Sequence, residues 1–273
     1  MPELPEVETI CRGLRRTVLN KKITGAEILR AQIIKPPSSP SELSREITGL
    51  SISGVERRAK YIKLLLNNGG LLLCHLRMTG RFLYFADKGE TGRHTRIVFR
   101  FSGGDSLHYH DLRALGVWKL YNPDSRVPEL EKLGVEPHSP DFTPAYLKAQ
   151  AVKSGRPVRD WLLDQTVVAG IGNIYASEIL FRSLVHPLSP ANSLTGCQIE
   201  FLHREIVQVL KEAIKCCGTT FSDYMRVEGE SGGFQRFLRV YKKEGEPCPN
   251  CAIPIERNKF SGRSVFFCPV CQS

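Results

Sequence analysis

Val7, Ile10, Leu14 and Val18 recur at three- and four-residue spacing, which predicts a helix over residues 6–19. Glu6 and Glu8 come early in that stretch and Arg12, Arg15 and Arg16 late, the order that suits a helix dipole. From Lys22 to about Tyr121 the pattern shortens to that of strands. Residues 61–66 lead through Asn67-Asn68-Gly69-Gly70 into residues 71–74, and residues 97–101 lead through Ser102-Gly103-Gly104-Asp105 into residues 107–109. Such turns between apolar runs are hairpin signals, and several in series predict a sandwich or a barrel. A proline-rich connection, residues 135–144, precedes a helical half. There Thr195 and Gln198 read as a capping box, Ile199, Leu202, Ile206, Val209, Leu210 and Ala213 as an apolar stripe, and Gly218 as a stop, giving a helix over 195–217. A shorter helix, residues 174–182, follows Gly170-Ile171-Gly172-Asn173. From Phe234 short strands are expected again.

The chain has 273 residues, 41% of them hydrophobic, enough for one large or two modest packed cores. Lys and Arg number 38 against 28 Asp and Glu, a formal charge of +10. That balance suits a polyanion such as nucleic acid, and equally a merely basic, soluble surface. No apolar run approaches the ~20 residues that span a bilayer, and no signal-peptide pattern opens the chain. The expected location is therefore the cytoplasm, with no membrane partner. Nine cysteines, an odd number, argue against a closed disulfide framework. Cys11, Cys74, Cys197, Cys216 and Cys217 show no ligand spacing and are expected to be small, buried or half-buried hydrophobes.

The other four cysteines are different. Cys248-Pro-Asn-Cys251 and Cys268-Pro-Val-Cys271 are two C-x-x-C knuckles separated by a short stretch. That arrangement can wrap four thiolates tetrahedrally around one Zn²⁺. With all four positions filled by protein, the zinc is structural and holds a small hairpin rigid. Arg257, Lys259 and Arg263 lie inside that hairpin and form a candidate phosphate-facing set.

The opening Met1-Pro2-Glu3 offers a second kind of chemistry. A small second residue allows removal of the initiator methionine, which would expose Pro2 as a secondary amine. An α-amino group has a reference pKa near ~8, so a useful fraction is unprotonated at neutral pH. Such an amine can attack an electrophilic carbon and give an iminium, an electron sink. Glu3 beside it can move protons. By itself, Met-Pro reads as the start of an ordinary chain. Asn173, after two glycines and before a helix, reads as an N-cap whose neighbouring N–H groups could also meet a phosphate.

These features converge with others. The run Met1-Pro-Glu-Leu-Pro-Glu-Val-Glu-Thr9 resembles the start of bacterial formamidopyrimidine-DNA glycosylases, which act on 8-oxoguanine. So do Arg57-Arg-Ala-Lys-Tyr61, His75-Leu-Arg-Met-Thr-Gly80 and the run from Leu163 through Gly170-Ile-Gly-Asn-Ile-Tyr175. The tail Gly262-Arg-Ser-Val-Phe-Phe-Cys-Pro-Val-Cys-Gln272 is similar too, so the resemblance runs from end to end. It implies an α+β chain in three parts. Residues 1–134 would form an N-terminal catalytic β-sandwich with a flanking helix. Residues 135–233 would form a helical helix–two-turn–helix DNA-binding domain, and 234–273 a zinc-ribbon β-hairpin.

The resemblance implies a monomeric bifunctional glycosylase and lyase, acting on duplex DNA that contains an oxidised purine and carrying one structural Zn²⁺. Pro2 would be the nucleophile that displaces the base and forms a Schiff base at C1′. Glu3 would protonate the opening sugar, and Lys60 would be the acid and base of the first elimination. Arg263 would grip phosphate and assist the second. His75 and His94 would contact phosphates, as would Asn173, and Arg159 would lie at the DNA. Met78, Arg113 and Leu115 would fill the hole left by the extruded nucleotide, with Arg113 bonded to the orphaned cytosine. Two residues depart from the family pattern. Leu115 stands where relatives usually have Phe, keeping a wedge but losing an aromatic face worth ~1–3 kcal/mol in stacking. Arg159 stands where relatives commonly carry Lys, which keeps the charge and puts a lysine-specific proton transfer in doubt. Residues 219–233 are expected to supply lesion contacts.

Two other readings stand beside this one. A sister family resembling endonuclease VIII, which prefers oxidised pyrimidines, shares the Pro-Glu start and the zinc hairpin. Leu4, the Glu6-Val-Glu-Thr9 run, Met78 and Arg113 favour the purine enzyme. A damage-binding zinc module without activity is a different class, against which Pro2, Glu3 and Lys60 speak.

Overall fold

In the computed structural model, which describes residues 1–221, 227 and 229–272, the first helix, α1, runs Leu4–Val18 and so begins two residues before the apolar spacing predicts. The extra turn exists because Pro5 is tolerated in the first turn and Glu3 and Glu6 form a capping box. The chain divides into two compact units. The first comprises Met1–Glu131 with Ile214–Gln235, the second Lys132–Ala213 with Arg236–Ser273.

The first unit is a sandwich of two four-stranded antiparallel sheets. Its strands are β1 (Ile23–Ile28), β2 (Ile52–Arg58), β3 (Tyr61–Leu66), β4 (Leu71–His75), β5 (Gly80–Phe85), β6 (Thr95–Phe101), β7 (Ser106–Asp111) and β8 (Val117–Tyr121). One sheet has the order β1-β6-β7-β5, the other β2-β3-β4-β8. Alternation decides which side chains turn inward: Ile62, Leu64 and Leu66 of β3 are buried, and the residues between them are half-exposed. Trp118 anchors the core, its ring 5.1–5.7 Å from those of Phe82, Phe99 and Tyr109. Val7, Ile10, Cys11, Leu14 and Val18 bring one face of α1 into the same core, and Leu43 and Ile47 bring in α2 (Pro40–Ile47). A short α3 (Pro128–Glu131) follows, its Glu129 bonded to Lys119 and Tyr121.

The second unit holds α4 (Pro144–Ala151), α5 (Val158–Leu163), α6 (Asn173–Arg182) and α7 (Gly196–Lys215) up to Ala213. The stripe expected for α7 is buried, Thr195 and Gln198 bond reciprocally at its start, and Gly218, at φ +78°, lies just past its end. Between α5 and α6, Gln165 donates to the carbonyls of Leu163 and Ile171 and accepts from Gly170 N–H, which fixes the paired turns. The strands expected from Phe234 form only later. Residues 234–237 make a 3-10 turn, and the strands are β9 (Glu256–Phe260) and β10 (Arg263–Phe267). Cys248 and Cys251 lie at a turn before β9, and Cys268 and Cys271 follow β10. Of the other cysteines, Cys11 and Cys74 are buried and Cys216 and Cys217 half-buried as expected, but Cys197 is exposed on the first turn of α7. No helix of the described residues is long and apolar enough to cross a membrane.

Candidate active site and DNA-contacting residues

In the first unit Pro2 and Glu3 are buried immediately before α1. Glu6, 1% exposed, holds them there: one carboxylate oxygen accepts the N–H of Glu3 at 2.7 Å and the other accepts the N–H of Thr219 at 2.7 Å. Glu6 therefore does more than cap a helix. It joins the N-terminal turn to the beginning of the 219–233 segment, of which residues 222–226 and 228 lie outside the described residues. Gly218 is required at that joint, because a Cβ there would lie 2.7 Å from a Glu6 carboxylate oxygen.

Lys60 is buried as well, and it lies in a turn. Arg58 pairs with Tyr61, so Ala59 and Lys60 form the two-residue turn between β2 and β3, with Ala59 at φ +51°. Non-glycine residues in the left-handed region recur beside the expected site residues. Arg77 precedes Met78, Ala114 precedes Leu115, and Ser261 lies two residues before Arg263. Each costs local strain, held by surrounding structure.

The three expected gap-filling residues lie on two loops that the structure brings together. Met78 is 41% exposed in the β4–β5 turn, and Leu115 is 47% exposed in the β7–β8 loop with Arg113. Thr79 joins the loops, its hydroxyl accepting the N–H of Arg113 at 3.1 Å and donating to Asp111. Asp111, fully buried, also accepts the N–H of Gly116 at 2.7 Å and the hydroxyl of Tyr109 at 3.4 Å. A Cβ at Gly116 would lie 1.9 Å from that hydroxyl, so only glycine closes the loop this way. Thr79 and Asp111 carry no signal as isolated residues in the sequence, since their role depends on pairing across 32 positions.

The two histidines differ. His75 accepts the N–H of Arg77 on Nδ1 at 3.0 Å, which leaves its proton on Nε2, and its ring meets Tyr61 edge-on. Burial, with the charges of Arg77 and Lys60 beside it, pushes its pKa down to about 3. It can offer a neutral N–H to a phosphate. His94 has a buried Nδ1 without a hydrogen-bond partner and lines a cavity of about 120 Å³ with Thr79, Arg81, His110 and Leu112.

In the second unit Arg159, Asn173 and Arg263 come together. The N-cap of α6 is Gly172, not Asn173. With its backbone at the first helical position, Asn173 turns its side chain to other work, accepting from Arg159 Nη2 at 2.7 Å and donating to the Ser264 carbonyl at 3.1 Å. Arg159 is only 1% exposed, with its guanidinium bonded to Asp160 and Asn173. Its place is thus internal, unlike that of Arg263, which is exposed at the start of β10. Ser261 and Gly262, both at positive φ, make the two-residue turn before it. Glu178 of α6, fully buried, accepts the N–H groups of Arg239, Val240 and Tyr241 and so fixes the chain leading to the hairpin. Burial raises its carboxyl pKa against those three bonds.

The four sulfurs of Cys248, Cys251, Cys268 and Cys271 lie within 4.8 Å of one another. Two of the separations are 3.8 and 3.5 Å. Tetrahedral coordination with Zn–S of about 2.3 Å needs sulfurs about 3.8 Å apart, so the set fits zinc. Phe181, Val240, Ile255 and Phe266 pack around the site.

Comparison with known proteins decides the relationship. Residues 1–118 match the family of the formamidopyrimidine-DNA glycosylase N-terminal domain, and residues 133–225 match that of its H2TH domain. Residues 245–273 match a zinc finger found in FPG and IleRS. The chain is 44% identical over 274 residues to the formamidopyrimidine-DNA glycosylase of Geobacillus kaustophilus, with all of both chains covered. The chain belongs to the formamidopyrimidine-DNA glycosylase family. A second family member, from Synechocystis sp., is 43% identical, covering all of this chain and 98% of the relative. The Lactococcus lactis Fpg bound to DNA with an abasic site superposes with a TM-score of 0.92 at 34% identity, over 99% of each chain. A MutM complex with DNA carrying carbocyclic 8-oxo-G gives 0.92 at 36%, again over 99% of each. The cysteine cluster is therefore the family's zinc finger and holds one structural Zn²⁺.

Proposed function

We infer that this protein excises oxidised purines, 8-oxoguanine and formamidopyrimidines, from duplex DNA and then cleaves the strand at the vacated sugar. The observation that carries this reading is the Pro2-Glu3 start, buried and held by Glu6 in a chain that matches the family from end to end.

With Met1 attached, the Pro2 nitrogen is an amide and not a nucleophile. Once Met1 is removed, the secondary amine attacks C1′ of the damaged nucleotide. The N–C1′ bond forms, the glycosidic bond breaks, and the base leaves with a proton. Glu3 protonates the opening sugar oxygen. The resulting iminium acidifies the C2′ hydrogen, so base loss and strand cleavage share one intermediate. Lys60 takes that proton, and the 3′ phosphate leaves in the first elimination. Arg263 holds the other phosphate and assists the second, which leaves phosphates at both ends of a one-nucleotide gap. His75, His94 and Asn173 contact phosphates, while Met78, Arg113 and Leu115 fill the space the nucleotide vacates. Arg159 serves the DNA through Asn173 and the hairpin. The enzyme acts as a monomer in the bacterial cytoplasm.

The test is borohydride trapping on an 8-oxoguanine:cytosine duplex beside a thymine glycol duplex. A covalent adduct and cleavage on the first are expected. Preference for thymine glycol would favour the oxidised-pyrimidine reading, and no adduct on either would leave a binding module.

A further inference from the structure

Arg159 and Asp160 lie in the first turn of α5, and both reach the hairpin turn. Asp160 accepts from Arg159 Nη1 at 2.7 Å on one carboxylate oxygen and from the Ser261 hydroxyl at 2.8 Å on the other. Arg159 Nη1 also approaches the Phe260 carbonyl at 3.4 Å, and Asn173 donates to the Ser264 carbonyl. Residues 260, 261 and 264 are thus each tied to α5 or α6. Between them lie Gly262 and the exposed Arg263. We propose that Asp160 is a positioning residue for Arg263: with Arg159 it latches the β9–β10 turn to α5 and presets the guanidinium for the second elimination.

Charge explains why a carboxylate is needed at this place. Arg159 is almost wholly enclosed, and a buried guanidinium without a counter-charge is costly. Burial and the nearby charge of Arg263 both work against its ionisation, and Asp160 supports it. Without Asp160 the repulsion between the two guanidiniums would go uncompensated, and the turn would lose the Ser261 bond to α5, leaving only the longer approach of Arg159 to the Phe260 carbonyl among the contacts described above. A turn with two left-handed residues keeps one register only while its flanks are held. The zinc fixes the base of the hairpin, and the Asp160 latch fixes its tip.

The proposal rests on the reading of Arg263 given above, and the experiment separates the two. Asp160→Asn and Ser261→Ala are assayed with zinc-loaded protein for base excision, borohydride trapping and the ratio of β,δ- to β-elimination product. Asp160→Asn is expected to lower that ratio by about fivefold or more, with excision and trapping within about twofold and one zinc per chain retained. Ser261→Ala, which removes one hydroxyl, should shift it the same way by less. Asp160→Glu should recover part of the loss. In an Arg263→Lys background, Asp160→Asn should add little, because residues acting through one group are not additive. An unchanged product ratio in both single variants overturns the proposal, as does a parallel fall of excision, trapping and both eliminations. If the parent itself yields no β,δ product, the reading of Arg263 fails instead.

Discussion

Glu3 takes its place from Glu6, whose second oxygen is held by Thr219, 213 positions along the chain, whereas Arg263 takes its place from cysteines within 23 positions of one another. The first arrangement is a set of buried hydrogen bonds closed by a distant return of the chain. The second is a cysteine cluster closed within a short stretch of chain, with the hairpin turn tied to α5 and α6 by bonds to Ser261 and Ser264. The difference shows in burial. Pro2, Glu3 and Lys60 are enclosed, and Arg263 stands in solvent. In the proposed mechanism, the amine that must stay partly unprotonated gains from a dry, preorganised setting, while the proposed phosphate grip must remain able to reach a polyanion.

The sharpest way to break this comparison is chemical. Protein that retains Met1 is expected to form no borohydride adduct, since an amide nitrogen cannot become an iminium. Mass spectrometry of the N-terminus alongside trapping checks this, and an adduct on Met1-bearing protein would remove Pro2 from its role. Next comes the metal. Cys268→Ser should lose zinc and DNA affinity together, because binding the ion is what orders the hairpin. Elemental analysis and a binding titration report both, and tight binding by metal-free protein would refute the link. A smaller loss is expected from Glu6→Gln. Its amide can accept only one of the two N–H groups, leaving a buried donor unsatisfied at about 1–3 kcal/mol. Thermal or denaturant unfolding would measure this, and an unaltered midpoint would show that the joint carries no load.

A pH experiment refines the picture further. His75 is neutral in the fold down to about 3, while an unfolded histidine titrates near ~6.5. Between those values the unfolded chain binds a proton that the folded chain does not. Stability contributed by this site is therefore full above pH ~6.5 and falls as the pH drops towards 3. His75→Gln should flatten that part of the stability profile, and an identical slope would contradict the assignment. The smallest effect is expected at Leu115. Leu115→Phe should leave single-turnover excision within a few-fold and improve lesion affinity by at most ~1 kcal/mol, the low end of a stacking gain. Leu115→Ala should slow extrusion, which fluorescence from a base analogue beside the lesion would follow. Unimpaired extrusion in that variant would pass the wedge role to Met78 or Arg113.

The sequence by itself determined whatever is written in local spacing. The α7 stripe, the two hairpins of the sandwich and the paired C-x-x-C knuckles were legible because periodicity and ligand distance lie within a few residues. The Pro2-Glu3 start and Lys60 were legible only because whole motifs resemble a family. Tertiary structure decided the rest. It made Gly172 the cap of α6 and gave the Asn173 side chain to Arg159 and Ser264. It placed Arg159 inside the unit, linked Glu6 to Thr219, and used Thr79 and Asp111 to align the loops of Met78 and Arg113. It also kept the chain after Phe234 from forming strands until Glu256. The reason is the same in each case. A polar side chain has several donors or acceptors to satisfy, its partners lie far away along the chain, and which of them it meets is settled only when packing closes off water.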